Sequence, residues 1–184
     1  MGKRSLLLVA LVCALPVLAS YLAFYVWKPA RFTNYGELLE VTPLPSLPLR
    51  GLDGSSFTLS DLRGKWVMLA VDSGQCDAAC RAKLFKVRQM RLMQGKEMDR
   101  IERVWLVTDG QPLDPELARL HEGARVVDAR GLDLRALLPK QDHPGEFIYL
   151  IDPLGNLMMR YPRNADPNGM KKDFERLLKV SRVG

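Results

Sequence analysis

The chain has 184 residues, 47% of them hydrophobic and 26% charged, with a formal net charge of +6. That balance excludes large-scale disorder and, once an N-terminal apolar run is set aside, suits one folded domain of ordinary size. The Lys and Arg residues are spread along the chain and interleaved with acids, which argues against the clustered basic footprint of a nucleic-acid binder.

From Ser5 to Trp27 no residue is charged. A helix of roughly 20 apolar residues crosses a bilayer, so residues 1–30 are expected to form a short cytoplasmic tip and a transmembrane anchor. Lys3 and Arg4 precede the run while Lys28 and Arg31 follow it, so the positive-inside rule favours a cytoplasmic N-terminus by a small margin. Tyr21, Tyr25 and Trp27 crowd one end, as interfacial aromatics do, and Pro16 is tolerable as a kink. Val17-Leu18-Ala19 resembles the processing site of a signal peptide. The apolar run continues well past it, however, which suits a retained anchor. Cys13 reads as a small apolar residue of this helix.

Pro29, Pro43, Pro45 and Pro48 punctuate the next stretch, and residues 31–48 are expected to be an extended tether with little regular structure. The folded domain is expected over residues 49–184. Leu49–Leu52, the Asp53-Gly54 turn and Ser56–Leu59 read as a hairpin. Trp66–Val71 is a continuous apolar run typical of a buried strand. Ala78–Met98 has the pattern of a long helix with one apolar side. Strands are expected at Arg103–Val107, Arg125–Asp128 and Phe147–Ile151, with helices at Pro115–Leu120 and Leu132–Leu138 between them. A turn at Asp152–Asn156 leads into a strand at Leu157–Tyr161, and Asn168–Val180 closes the chain as a helix. This is an α/β sandwich in which helices cover a central sheet.

Leu52-Asp53-Gly54 with Phe57-Thr58-Leu59, Cys76-Asp77-Ala78-Ala79-Cys80, and Tyr149-Leu150-Ile151-Asp152-Pro153-Leu154-Gly155 are the segments by which the chain, across roughly residues 49 to 181, resembles the Sco/SenC branch of the thioredoxin superfamily. Leu52-Asp53-Gly54, Phe57-Thr58-Leu59 and Leu62-Arg63-Gly64-Lys65 look like the opening hairpin and first core strand of that superfamily. Cys76-Asp77-Ala78-Ala79-Cys80 follows that strand and opens a helix, where the branch places its Cys-x-x-x-Cys. Tyr149-Leu150-Ile151-Asp152-Pro153-Leu154-Gly155 resembles the late strand and turn. Two departures stand out. Asp77 and Arg81 occupy places where Sco proteins usually have proline, and Pro144, one residue beyond His143, stands where they supply a metal-binding histidine. The resemblance implies a thioredoxin-like domain on a membrane anchor, in the bacterial inner membrane with the domain in the periplasm. It implies an assembly factor for cytochrome c oxidase that handles Cu(I), thiol redox state or both. Cys76, Cys80 and His143 would be the copper ligands, and an apo-oxidase subunit or another copper carrier the partner.

The residues themselves allow more than one chemistry. Three cysteines occur, too few for a disulfide scaffold, so the close pair reads as chemistry. Residues four apart share a helix face, and Cα atoms roughly 6 Å apart can be bridged. At the first turn of a helix the orphan N–H groups favour thiolate, Arg81 and Lys83 would add to this, and Asp77 opposes it. Soft thiolates select Cu(I), and an imidazole would complete a trigonal site. The two imidazoles are His121 and His143; His121, at the end of a short helix, reads as a surface residue. The same pair also suits a periplasmic thiol–disulfide oxidoreductase, with Cys76 attacking and Cys80 resolving. A redox-inert scaffold holding two buried thiols is the bland alternative. Ser73-Gly74-Gln75-Cys76 echoes a peroxiredoxin motif, but Leu69 stands in place of its upstream proline. Met90, Met93 and Met98 read as core filling. Lys83, Lys86, Arg88 and Arg91 read as a solvated basic face or a docking face for an acidic partner.

Overall fold

The structure, a computed structural model, describes residues 2–26, 34–140 and 143–181. Trp27, Lys28, Pro29 and Arg31, read above as the end of the anchor and the start of the tether, lie outside the described residues, as do Gln141 and Asp142 of the His143 loop. The chain divides into two compact units, Met1–Thr33 and Asn34–Gly184. The first contains helix α1, Lys3–Val26, of 24 residues. At 1.5 Å per residue it is about 36 Å long, enough to cross a bilayer core. It is the one helix among the described residues long and apolar enough to do so. Pro16 lies within it, and Tyr21 and Tyr25, one turn apart, bring their rings to 4.7 Å.

The second unit is built on one mixed sheet of eight strands. Its strands are β1 (Glu37–Pro43), β2 (Pro48–Gly51), β3 (Ser56–Thr58), β4 (Trp66–Asp72), β5 (Ile101–Val107), β6 (Arg125–Asp128), β7 (Phe147–Ile151) and β8 (Asn156–Pro162). They lie in the order β1-β8-β7-β4-β5-β6-β2-β3. β4, β5 and β6 run parallel, and β7 pairs antiparallel with β4 and β8. Helices α2 (Ala78–Leu92), α3 (Pro115–Leu120), α4 (Leu134–Leu137) and α5 (Pro167–Val180) make the crossovers and the close of the chain. Parallel neighbours need such crossovers, which explains why strand and helix signals alternate between residues 66 and 137.

The first six residues of β4 are all buried, because this central strand has a packed layer on each face. Val67, Leu69 and Val71 point into one layer with Leu106, Tyr149 and Leu157. Trp66 and Met68 point into the other with Met90, Met170 and Phe174, and Ala70, on that same face, packs against Cys76 and Cys80. Met90 is therefore core, as its spacing suggests, and Met93 packs against that layer.

Two sequence expectations need correction. Residues 37–43, expected within a tether of little regular structure, form edge strand β1. It pairs antiparallel with β8, Leu38 opposite Met159, and its register shifts between Leu38 and Thr42. Glu37 and Arg160 form an ion pair across it at 2.9 Å. Pro43 ends the strand, as an edge allows, and Leu44 then enters the core. The helix expected to reach Met98 stops at Leu92, and a 3₁₀ segment spans Gly95–Arg100. Gly95 has φ +55°, a left-handed conformation that ends α-helices and that glycine adopts without steric cost.

Candidate functional site

The cysteine loop leaves the C-terminal end of β4 and is held by Asp109, just past β5. The Asp109 carboxylate accepts from the Gly74 N–H at 2.9 Å, from the Gln111 N–H at 3.1 Å and from the Ser73 hydroxyl. The Ser73 hydroxyl and these backbone N–H groups hold the Asp109 carboxyl below its ordinary range. Ser73 Oγ in turn accepts from the Gln75 N–H at 3.1 Å. Gly74 passes so close to the Gln111 carbonyl that an added Cβ would overlap it. Asp109 was not among the residues singled out from the sequence; its place follows from β4 and β5 being parallel neighbours, whose following loops meet at one sheet end.

Asp77, not Cys76, starts α2. Its carboxylate accepts from the Cys80 N–H at 2.8 Å as N-cap, a role aspartate fills far better than cysteine. Cys76 therefore precedes the helix, with φ +42°, and is the single non-glycine residue with positive φ among the described residues. The left-handed turn still brings the two Cα atoms to 5.1 Å, and Cys76 and Cys80 are joined in a disulfide, within the separation such a bond spans. Both are 2% exposed, packed with Ala70, Leu84, Trp105, Val107 and Leu117. Arg81 Nε donates to the Cys76 carbonyl at 3.1 Å, and its Nη2 pairs with Asp114 at 3.1 Å. That guanidinium is the main reason the Asp114 carboxyl lies below its usual range.

Lys83, expected on a solvated face, has 0% exposure. Its Nζ donates to the Val71 carbonyl at 2.8 Å and to the Gly145 carbonyl at 2.6 Å, and pairs with Asp72 at 2.8 Å. It thus ties α2 to the end of β4 and to the loop that begins at His143. Cys80, Lys83, Leu84 and Val87 lie on the inward side of one helix, the i, i+3, i+4, i+7 spacing that could have located Lys83 from sequence. Lys86 and Arg91 are also engaged with the fold, donating to the Arg163 and Ile101 carbonyls.

His143 is exposed and precedes the 3₁₀ turn Pro144–Glu146, its carbonyl accepting from the Glu146 N–H at 2.8 Å. Among the described residues no three of His, Cys, Asp and Glu are gathered as a metal-holding group. As a disulfide the pair offers no thiolate; reduced, it offers two soft donors, with no imidazole assembled beside them. His121 does cap the end of α3, but it is 7% exposed rather than on the surface. It lines a small cavity with Leu84, Arg103 and Trp105, and burial, then the charge of Arg103, push its pKa down.

The profile of a family described as "Transmembrane-like, thioredoxin-like, C-terminal domain" matches residues 66–181. The chain belongs to this family. The matched residues run from the start of β4 to just past α5 and so include both cysteines and the late strands. No curated protein matches the chain. Among solved structures, yeast Sco1 with copper bound is similar with a TM-score of 0.63 at 17% identity, covering 78% of this chain and 96% of that one. Apo Sco1 from Thermus thermophilus gives 0.60 at 18% identity, covering 80% and 99%. ScoI from Bradyrhizobium japonicum with copper bound gives 0.56 at 16% identity, covering 73% and 99%. At these identities what is shared is the Sco-type thioredoxin-like fold.

Proposed function

We propose that this protein is a membrane-tethered thiol–disulfide module of the Sco type, with Cys76 and Cys80 interconverting between dithiol and disulfide. The observation that carries this reading is the joined pair itself, set at the mouth of α2 with Cys76 in a backbone conformation that non-glycine residues rarely adopt. In the reducing direction the Cys76 thiolate attacks a substrate disulfide. That bond breaks, one substrate sulfur leaves as thiolate and takes a proton from water, and a mixed disulfide forms. Cys80 then attacks Cys76 Sγ and releases the second substrate thiol, so the substrate gains two electrons and the pair is oxidised. The N–H groups of the first turn of α2 favour thiolate on the sulfur that departs in the reverse direction. The domain works on the periplasmic side of a bacterial inner membrane, an assignment supported by the N-terminal apolar helix and the Sco-type fold.

The test is trapping. Cys80→Ser in the full chain should accumulate a mixed disulfide with substrate protein that Cys76→Ser does not form; absence of any trapped species from Cys80→Ser, with the wild-type pair inert to thiols, overturns the reading.

A second reading is favoured by the copper-bound neighbours. The reduced pair would hold Cu(I) as cargo, with His143 as third ligand, for an apo-cytochrome c oxidase subunit or another copper carrier. His143→Ala should then lower Cu(I) affinity by at least about tenfold with both proteins fully reduced at one pH. An unchanged affinity removes His143 and leaves two cysteines.

A further inference from the structure

Taking the thiol–disulfide reading as its basis, we infer that Lys83 is a positioning residue that sets how readily the Cys76–Cys80 disulfide is reduced, with Asp72 as its opposing partner. A lysine of 0% exposure is costly to bury. Its ammonium is satisfied by three acceptors, the Val71 and Gly145 carbonyls and Asp72 Oδ2. Those contacts fasten α2 to β4 and to the His143 loop, and the same charge lies at the sheet end that carries the cysteine loop. Lys83 follows Cys80 by one helical turn, where residues three apart are neighbours, and its ammonium lies at the end of the strand that feeds the Cys76 loop.

The direction follows from which redox form carries charge. The disulfide is neutral. Reduction places two electrons on the pair, and the thiolate-bearing product gains from a nearby cation in a poorly solvated setting. Lys83 therefore favours the dithiol form. Asp72, with 22% side-chain exposure, tempers that effect. The other charged groups around the pair have partners of their own and are untouched in both variants below: Arg81 pairs with Asp114, Asp109 accepts from Ser73 and backbone N–H groups, and Asp77 accepts from the Cys80 N–H. Lys83 and Asp72 lie on α2 and at the end of β4, the two elements that flank the cysteine loop, and, being of opposite charge, should act with opposite sign.

The experiment is equilibration of the detergent-solubilised full chain with reduced and oxidised glutathione, reading the fraction of disulfide. The chemistry balances: two glutathione thiols are oxidised to one disulfide as the Cys76–Cys80 bond is cleaved to two thiols. Lys83→Met should shift the equilibrium roughly fivefold toward the protein disulfide, since it removes the cation and leaves the Asp72 carboxylate unopposed. Asp72→Asn should shift it roughly fivefold the other way. A purely structural role for Lys83 would lower the melting temperature in both variants without opposite shifts in the redox equilibrium. Should Lys83→Met fail to fold, the Asp72→Asn shift alone decides. If the wild-type pair exchanges with glutathione but Asp72→Asn leaves the equilibrium unchanged or moves it toward the disulfide, the inference is overturned and the thiol–disulfide reading stands. A wild-type pair that does not exchange at all overturns the reading on which the inference rests.

Discussion

Lys83 and Asp173 are two buried charges on two helices packed on the same side of the sheet, and each clamps a distant stretch of backbone. Lys83 donates to the carbonyls of Val71 and Gly145, at the sheet end that carries the cysteine loop. Asp173, 2% exposed on α5, accepts from the N–H groups of Tyr35 at 3.0 Å and Gly36 at 2.8 Å, and from the Tyr161 hydroxyl at 3.3 Å. Asp173 thereby holds the first described residues of the domain, just ahead of β1. The same physical device, a buried ion satisfied by backbone, is purely a fastening in one place and lies beside a redox-capable pair in the other. Burial of a charge is therefore not by itself a sign of function; what stands one turn away decides.

The comparison can be broken by experiment. Removing Asp173 should have the largest effect on stability: Asp173→Ala strands the Tyr35 and Gly36 N–H groups and should cost about 3 kcal/mol in denaturant unfolding of the domain. The glutathione equilibrium of the cysteine pair should not move. A shift there comparable to that of the Lys83 variants would erase the distinction between the two clamps. Tyr35 gives a milder version. Its hydroxyl accepts from the Asp166 N–H at 2.8 Å, so Tyr35→Phe should cost about 1 kcal/mol, again with the pair unaffected.

The smallest effect concerns acid. His121 lines a small cavity with Leu84 of α2, and its pKa is lowered mainly by burial. In the unfolded chain it takes a proton near pH 6.5, whereas the folded protein resists protonation. Its contribution to stability is therefore present above that value and lost as the pH falls toward the lowered folded value. Hydrogen exchange at pH 5.5 compared with pH 7.5 should show α3 and the adjoining part of α2 loosening before the Asp173 clamp does. His121→Gln should flatten this difference. Equal loosening at both ends would show that acid acts elsewhere.

Much of the fold was legible in local pattern. Trp66–Val71 reads as a buried strand because its apolar run is continuous, and Arg125–Asp128, Phe147–Ile151 and Pro115–Leu120 have the bounds read from sequence. Strand β1 was not legible. Its side chains are mostly exposed, prolines surround it, and its partner β8 lies more than a hundred residues away. The end of α2 was misplaced because Met98 continues the apolar spacing while Gly95, the residue that breaks it, gives only a weak signal inside a helical pattern.

For the candidate site, residue type and spacing alone determined that Cys76 and Cys80 could meet, since a separation of four is within reach of a disulfide. They also determined that the pair lies where a core strand gives way to a helix. Only the tertiary structure decided that Cys76 lies outside that helix in a left-handed turn, that Asp109 holds its loop from the neighbouring parallel strand, and that Lys83 points inward to clamp the His143 loop while His143 itself stays exposed. The reason is physical. Spacing along one helix is a local property that the chain carries with it, whereas the partners of a buried ammonium or carboxylate are backbone groups that any residue could supply, and only folding chooses which ones arrive.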